Sequence, residues 1–113
     1  MYIEGLNEIA EITLPPAPGQ QRNFDVFQNF EASFERRDEL KTYLANQGVS
    51  AIPQWGGKPV HHFEALGFGK EHFNDLAQTD KFFERCLMLP LNMAMSDEQV
   101  YFVIDNIKRF YQK

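Results

Sequence analysis

The residues best suited to chemistry fall in one short stretch, QWGGKPVHHF, from Gln54 to Phe63. Trp55 offers a stacking face, Lys58 a point charge for phosphate or carboxylate, and His61 a donor or acceptor near neutral pH. Gly56 and Gly57 open backbone conformations closed to other residues and let a ligand approach closely, at a cost in chain entropy. From these residues alone two readings stand: a ligand-contacting loop, or a tight surface turn. Metal binding is not expected. His61, His62 and His72 lie in one region with Cys86 further on. Adjacent histidines on a helix point about 100° apart, and none of the spacings matches a zinc pattern. Cys86, between Arg85 and a Leu-Met-Leu run, reads as a small buried hydrophobe, and no motif supports a Cys–His nucleophile. The chain carries no G-x-x-x-x-G-K-S/T loop, no G-x-G-x-x-G after a strand and no G-x-S-x-G elbow.

The 113 residues suit one domain with a single core. Apolar residues make up 43%, with eleven phenylalanines, which is a globular composition. A net charge of −5 argues against non-specific nucleic-acid binding, which needs a basic surface. No apolar run approaches the roughly 20 residues that span a bilayer. MYIEGLNEIAEI lacks the basic and apolar regions of a secretory signal. One cysteine makes no internal disulfide, so a cytoplasmic location is the default.

Positioning that loop falls to the elements around it. Tyr2, Ile3, Leu6 and Ile9 have helical spacing over Tyr2 to Ala10, without a cap, like the tail of a helix. Ile12 to Leu14 reads as a short strand, and Pro15 to Gln21 as an extended link. Phe24 to Phe34 alternates with period two: Phe24, Val26, Gln28, Phe30, Ala32 and Phe34 on one face, Asp25, Phe27, Asn29, Glu31 and Ser33 on the other. Arg37 to Gln47 reads as an amphipathic helix with Leu40, Tyr43 and Leu44 inward and Gly48 as its C-terminal cap. ERRDEL, from Glu35 to Leu40, reads as the solvated start of that helix, because Arg36 and Arg37 are flanked by acids. A strand is expected from Val49 to Ile52, cut by Pro53. Short helical pieces follow at His62 to Leu66, Glu71 to Leu76 and Thr79 to Arg85, then a buried strand at Cys86 to Pro90. Ser96 and Gln99 fit a capping box. Val100, Val103, Ile104, Ile107, Phe110 and Tyr111 form the apolar stripe of the last helix. The order predicts an α+β fold, a small, mostly antiparallel sheet with helices packed on one face.

Several segments taken together resemble one family. Arg37 to Leu44 follows R-D/N-E-L-x-x-Y/H-L, Gly48-Val49 follows G-I/V, and Pro59 to His61 follows P-L/V-H. Leu87 to Leu91 follows L-x-L-P-L/M, and Ser96 to Val100 follows S/T-D-E-x-V/I. The chain is thereby similar to the C-terminal small domain of the DegT/DnrJ/StrS aminotransferases, pyridoxal-phosphate enzymes that aminate keto groups on nucleotide-linked sugars. WGGK in place of the more usual loop is similar to the branch acting on dTDP-linked deoxysugars.

The resemblance implies a fold like the small domain of fold-type I aminotransferases. It divides the chain into residues 1–22, the end of a preceding helix with a strand and Pro-rich link, and residues 23–113, the small domain. It also implies that Trp55, Gly56, Gly57, Lys58 and His61 help to hold a sugar nucleotide, with Asn29 joining them from the strand. In that family the Schiff-base lysine and the pyridoxal-phosphate contacts belong to a large domain for which 113 residues leave no room. No catalytic or cofactor-binding residue is therefore expected in this chain, and the chain alone is expected to be inactive. Its expected partners are the large catalytic domain or further copies of itself. Apolar surface should then be exposed, with Phe27 and the apolar side of the Tyr2 to Ala10 helix as candidates. The other expectation is a free-standing binding or regulatory module on the same fold.

Overall fold

Alternation between large apolar and small or charged residues builds the sheet. In the computed structural model, which describes residues 1–16, 29–67, 69, 71 and 76–112, strand β2 spans Phe30–Phe34. Phe30, Ala32 and Phe34 are buried, while Glu31 and Ser33 are half-buried on the other face. Residues 24–28 of the expected strand, Phe27 among them, lie outside the described residues, as do His72 and the middle of the helical piece expected at Glu71 to Leu76. Strand β3 (Cys86–Leu89) runs antiparallel to β2, with Leu89 opposite Phe30 and Leu87 opposite Ala32. Strand β1 is only Ile12–Thr13 and pairs antiparallel on the far side, Ile12 opposite Phe34. The three-stranded sheet therefore has the order β1-β2-β3.

The strand expected from Val49 to Ile52 contracts to one bridge between Ile52 and Met88. Pro53 has no N–H to extend a ladder. Val49 and Ala51 still reach the core.

Helices α1 (Tyr2–Leu6), α2 (Arg37–Asn46) and α4 (Asp97–Gln112) cover the face that carries Phe30, Ala32 and Phe34. Leu40 and Leu44 of α2 and Val103, Ile104 and Ile107 of α4 are buried, and Tyr43, Phe110 and Tyr111 pack at the margin. The expected caps are present. Ser96 N–H donates to Gln99 Oε1 at 2.9 Å, and Gln99 N–H donates to Ser96 Oγ at 3.2 Å, closing the capping box. At the end of α2 Gly48 takes φ 82°, its N–H donates to the Ala45 carbonyl at 3.0 Å, and Val49 N–H donates to the Leu44 carbonyl at 2.8 Å. That pair of bonds is a Schellman motif.

Helix α1 ends sooner than its apolar spacing suggests, at Leu6, with Ile9 N–H turning back to the Leu6 carbonyl at 3.2 Å. Its apolar side is not exposed, contrary to the expectation from a separated small domain. Tyr2 and Leu6 are buried, and Ile3 and Ile9 pack against the same core. The Tyr2 hydroxyl also donates to the Pro90 carbonyl at 2.7 Å, tying the chain's start to the end of β3. The remaining helix, α3 (Ala77–Arg85), lies beside the opposite face, since Ala77, Lys81 and Arg85 line one cavity with Thr13 and Ser33. It is α3 that supports the loop.

Candidate functional site

The turn Gln54–Gly57 is built from unusual backbone. Trp55 (φ 51°, ψ 34°) and Gly56 (φ 69°, ψ 15°) both lie in the left-handed region, and Gly57 has φ 82°. Glycine enters that region freely, but a tryptophan there is held at a cost of about 1–3 kcal/mol, a strain concentrated at ligand clamps and active sites. Trp55 is nevertheless 71% exposed, so its own burial contributes little to holding it there. Gly56 is exposed too, and a Cβ on it would meet nothing within 4 Å. The glycine is needed there for its dihedral angle, not for space. Lys58 is exposed with Nζ 5.2 Å from the centroid of the Phe63 ring, a cation–π contact that steadies the ammonium at the surface. Trp55, Gly56 and Lys58 thus present an indole face, open backbone and a cation side by side, with Gly57 half-buried beneath.

His61 lies differently. It is only 6% exposed, and its Nε2 stands 2.9 Å from Asp80 Oδ1 of α3. The next residue, His62, places its own Nε2 2.8 Å from the same oxygen. The two imidazoles meet edge-on with centroids 4.4 Å apart. Expected among the ligand-contacting residues, His61 instead joins the loop to α3. Asn29 is exposed at the start of β2, on a separate element, and no hydrogen bond joins it to the loop.

Asp80 has no counterpart in the sequence reading. It lies in a different element from the histidines, and nothing in its neighbours marks it. Arg37 is a second such residue. Its side chain is not solvated, as ERRDEL suggested: Nη1 donates to the Phe83 carbonyl at 3.0 Å and the Cys86 carbonyl at 2.8 Å. Those carbonyls belong to the last turn of α3 and the residue after it, where helix ends leave acceptors unfilled. Arg37, Gly57, Pro59, His62 and Asp80 border one cavity of about 300 Å³. Cys86 is fully buried, and desolvation pushes its thiol above the ordinary range, so it holds no thiolate for nucleophilic chemistry at neutral pH.

The described residues do not fit a pyridoxal-phosphate site. A Schiff-base lysine needs desolvation or a neighbouring cation to release its proton. Among the described residues no lysine is buried: Lys41, Lys58 and Lys81 are exposed and Lys108 is half-buried. No step of amino transfer is assigned to this chain. No helix among the described residues is long and apolar enough to cross a membrane.

A short antiparallel sheet backed by three helices, with a strained glycine-rich loop at its edge, defines a small α+β domain. The sequence profile of the DegT/DnrJ/EryC1/StrS aminotransferase family matches residues 1–108, and the chain belongs to that family. It is 27% identical over 113 residues to a dTDP-3-amino-3,4,6-trideoxy-alpha-D-glucose transaminase of Streptomyces venezuelae, covering 99% of this chain and 29% of that one. It is 29% identical over 92 residues to a protein of Geobacillus stearothermophilus called pleiotropic regulatory protein, covering 79% of this chain and 24% of the relative. The structure of S. venezuelae DesV, solved in complex with a ketimine intermediate, superposes with a TM-score of 0.87 at 27% identity, covering 99% of this chain and 29% of that one. An aminotransferase of the family from Brucella abortus shares the fold at a TM-score of 0.81 and 24% identity, again over 99% of this chain and 29% of its own. The chain therefore spans under a third of the length of these relatives.

Proposed function

We propose that this chain is the C-terminal small domain of a sugar aminotransferase whose substrate is a dTDP-linked keto-deoxysugar. The family match over residues 1–108, at under a third of the length of the S. venezuelae transaminase, carries this reading. Residues 23–113 are the domain proper, and residues 1–22 the preceding helix end, strand and link. Pyridoxal phosphate supplies the electron sink for amino transfer in the full-length family, held by residues of the large domain. The work of this chain is binding. Trp55 stacks on the base or sugar, and Lys58 sets its ammonium against the pyrophosphate. Gly56 and Gly57 let the ligand approach the backbone, and Asn29 offers an amide from the edge of β2. His61 lies beneath the loop, beside Asp80, rather than touching the sugar. The partner is the large catalytic domain or a second copy of the chain. Leu91, Met93 and Phe102, all exposed, are apolar surface available to it. The protein works in the cytoplasm, and its role in the cell is the making of amino sugars for polysaccharides or related products.

Trp55 is the sole tryptophan, so its fluorescence reports on the loop alone. A dTDP-sugar at millimolar concentration should change that fluorescence, and Lys58→Ala should weaken the response. No change at that concentration would end the case for the loop as a sugar-nucleotide contact. Incubation with pyridoxal phosphate should leave no stoichiometric Schiff-base absorbance, and its appearance would overturn the prediction that the chain alone is inactive.

A second reading rests on the similarity to the Geobacillus protein called pleiotropic regulatory protein. On that reading the chain is a binding or regulatory module that never joins a transaminase. Tagged chain that recruits a separately expressed family large domain and restores amino transfer would exclude it.

A further inference from the structure

We infer that His61, His62 and Asp80 form a binding site for one divalent transition-metal ion of the zinc type. The three side chains each offer a ligand atom, and these atoms lie within 4.8 Å of one another. Both Nε2 atoms converge on a single carboxylate oxygen, at 2.9 Å and 2.8 Å. Ligands at about 2.0–2.2 Å from a tetrahedral zinc ion stand about 3.3–3.6 Å from their neighbours and point at the ion rather than at each other, so binding needs these atoms to spread by about half an ångström.

The direction of the contacts separates this arrangement from a simple ion pair. His61 Nε2 and Asp80 Oδ1 are close, yet both are buried atoms without a hydrogen bond, because the N–H direction misses the oxygen. An imidazole more than nine-tenths buried with no bond for Nε2 bears an unmet desolvation cost. A cation between the three atoms would satisfy the two orphaned ones, with His62 Nε2 as its third ligand. Imidazole and carboxylate together suit zinc, copper or nickel better than magnesium or calcium.

Two neighbouring features are compatible with an ion. Arg37 borders the same cavity, but its Nη1 is engaged by the Phe83 and Cys86 carbonyls and its Nε by Asp38 Oδ1 at 2.7 Å. Glu84 lines that cavity as well and adds a negative charge nearby. The cavity of about 300 Å³ leaves room for water in the remaining coordination positions. His72 and Cys86, considered with these histidines at the level of sequence, are not part of the set. The ion would pin the Gln54 to Phe63 loop to α3, whatever ligand the loop's outer side receives.

Equilibrium dialysis of the chelator-treated 113-residue protein against zinc chloride tests this. One zinc per chain is expected at micromolar free metal, with the thermal midpoint rising on zinc addition by mass action. His62→Gln and Asp80→Asn should each weaken uptake by about tenfold or more and abolish the rise. Absence of uptake by the folded protein, or uptake unchanged in both variants, would overturn the site. Should either variant fail to fold, nuclear magnetic resonance of the unsubstituted chain decides. Zinc-dependent shifts at the His61 and His62 ring protons support the site, and shifts at His72 alone, or none, refute it.

Discussion

Gly5 of α1 lies so close to Ile104 of α4 that a Cβ at that position would stand 2.8 Å from Ile104 Cδ1 and 3.0 Å from its Cγ2. The isoleucine is 2% exposed and branched at Cβ, so it has little freedom to move aside. Gly5→Ala adds helix propensity, which favours α1 by about 1 kcal/mol. It also overpacks the α1–α4 contact, at about 1–3 kcal/mol. The net outcome expected is a loss of about 1 kcal/mol in urea unfolding, and Gly5→Val should lose more. A midpoint raised in Gly5→Ala, by the propensity gain alone, would mean that α1 does not dock on α4 in solution.

High pH should loosen the bonds that tie α1 and α4 to the ends of the sheet strands. Burial pushes the Tyr2 hydroxyl up to about 12 from its usual 10, and burial likewise raises Tyr111, which donates to the Glu35 carbonyl at 2.6 Å. A phenol whose folded-state pKa is raised binds its proton more tightly when folded. Its contribution is complete below about pH 10 and falls as pH climbs through that of the folded state. Stability measured from pH 8 to pH 12 should therefore be level at first and decline above about pH 10. Tyr2→Phe should flatten part of that decline, while costing about 1 kcal/mol at neutral pH for the lost bond to Pro90.

Asn106 is a liability within α4. It is buried, its Nδ2 donates to the Phe102 carbonyl at 2.8 Å, and its Oδ1 has no partner. An apolar side chain of similar volume removes the orphaned oxygen's desolvation cost, and the Phe102 carbonyl, inside α4, keeps the i+4 backbone N–H as its partner. Asn106→Leu should raise stability by about 1 kcal/mol or leave it unchanged. A clear loss in thermal unfolding would show that Oδ1 is used, by water or by a partner surface.

Trp55 gives a test that separates strain from packing. Its left-handed backbone is unfavourable for any L-residue, and its exposed ring supports little of the core. Trp55→Gly should leave unfolding stability within about 1 kcal/mol of the unsubstituted protein, because the relieved dihedral offsets the added entropy of the unfolded chain. Trp55→Ala keeps the dihedral and should be the less stable of the two. The reverse order in chemical denaturation would show that the ring packs on something.

Local pattern was sufficient for much of this protein. The period of two in Phe30–Phe34, the inward Leu40 and Leu44, the stripe from Val100 to Tyr111, the Ser96–Gln99 box and the Gly48 cap all rest on neighbours a few residues apart, and all appear as written. The ordered motifs from Arg37 to Val100 likewise carried the family. What local pattern could not reach are contacts across long separations. Asp80 beneath His61 and His62, Arg37 against the end of α3, and α1 seated on Ile104 each join residues from different elements. Spacing along a chain encodes which face of an element is apolar. Which polar groups from other elements converge on a buried point is set only when the elements pack, and there the loop's histidines acquired an acid that their own sequence neighbourhood never showed.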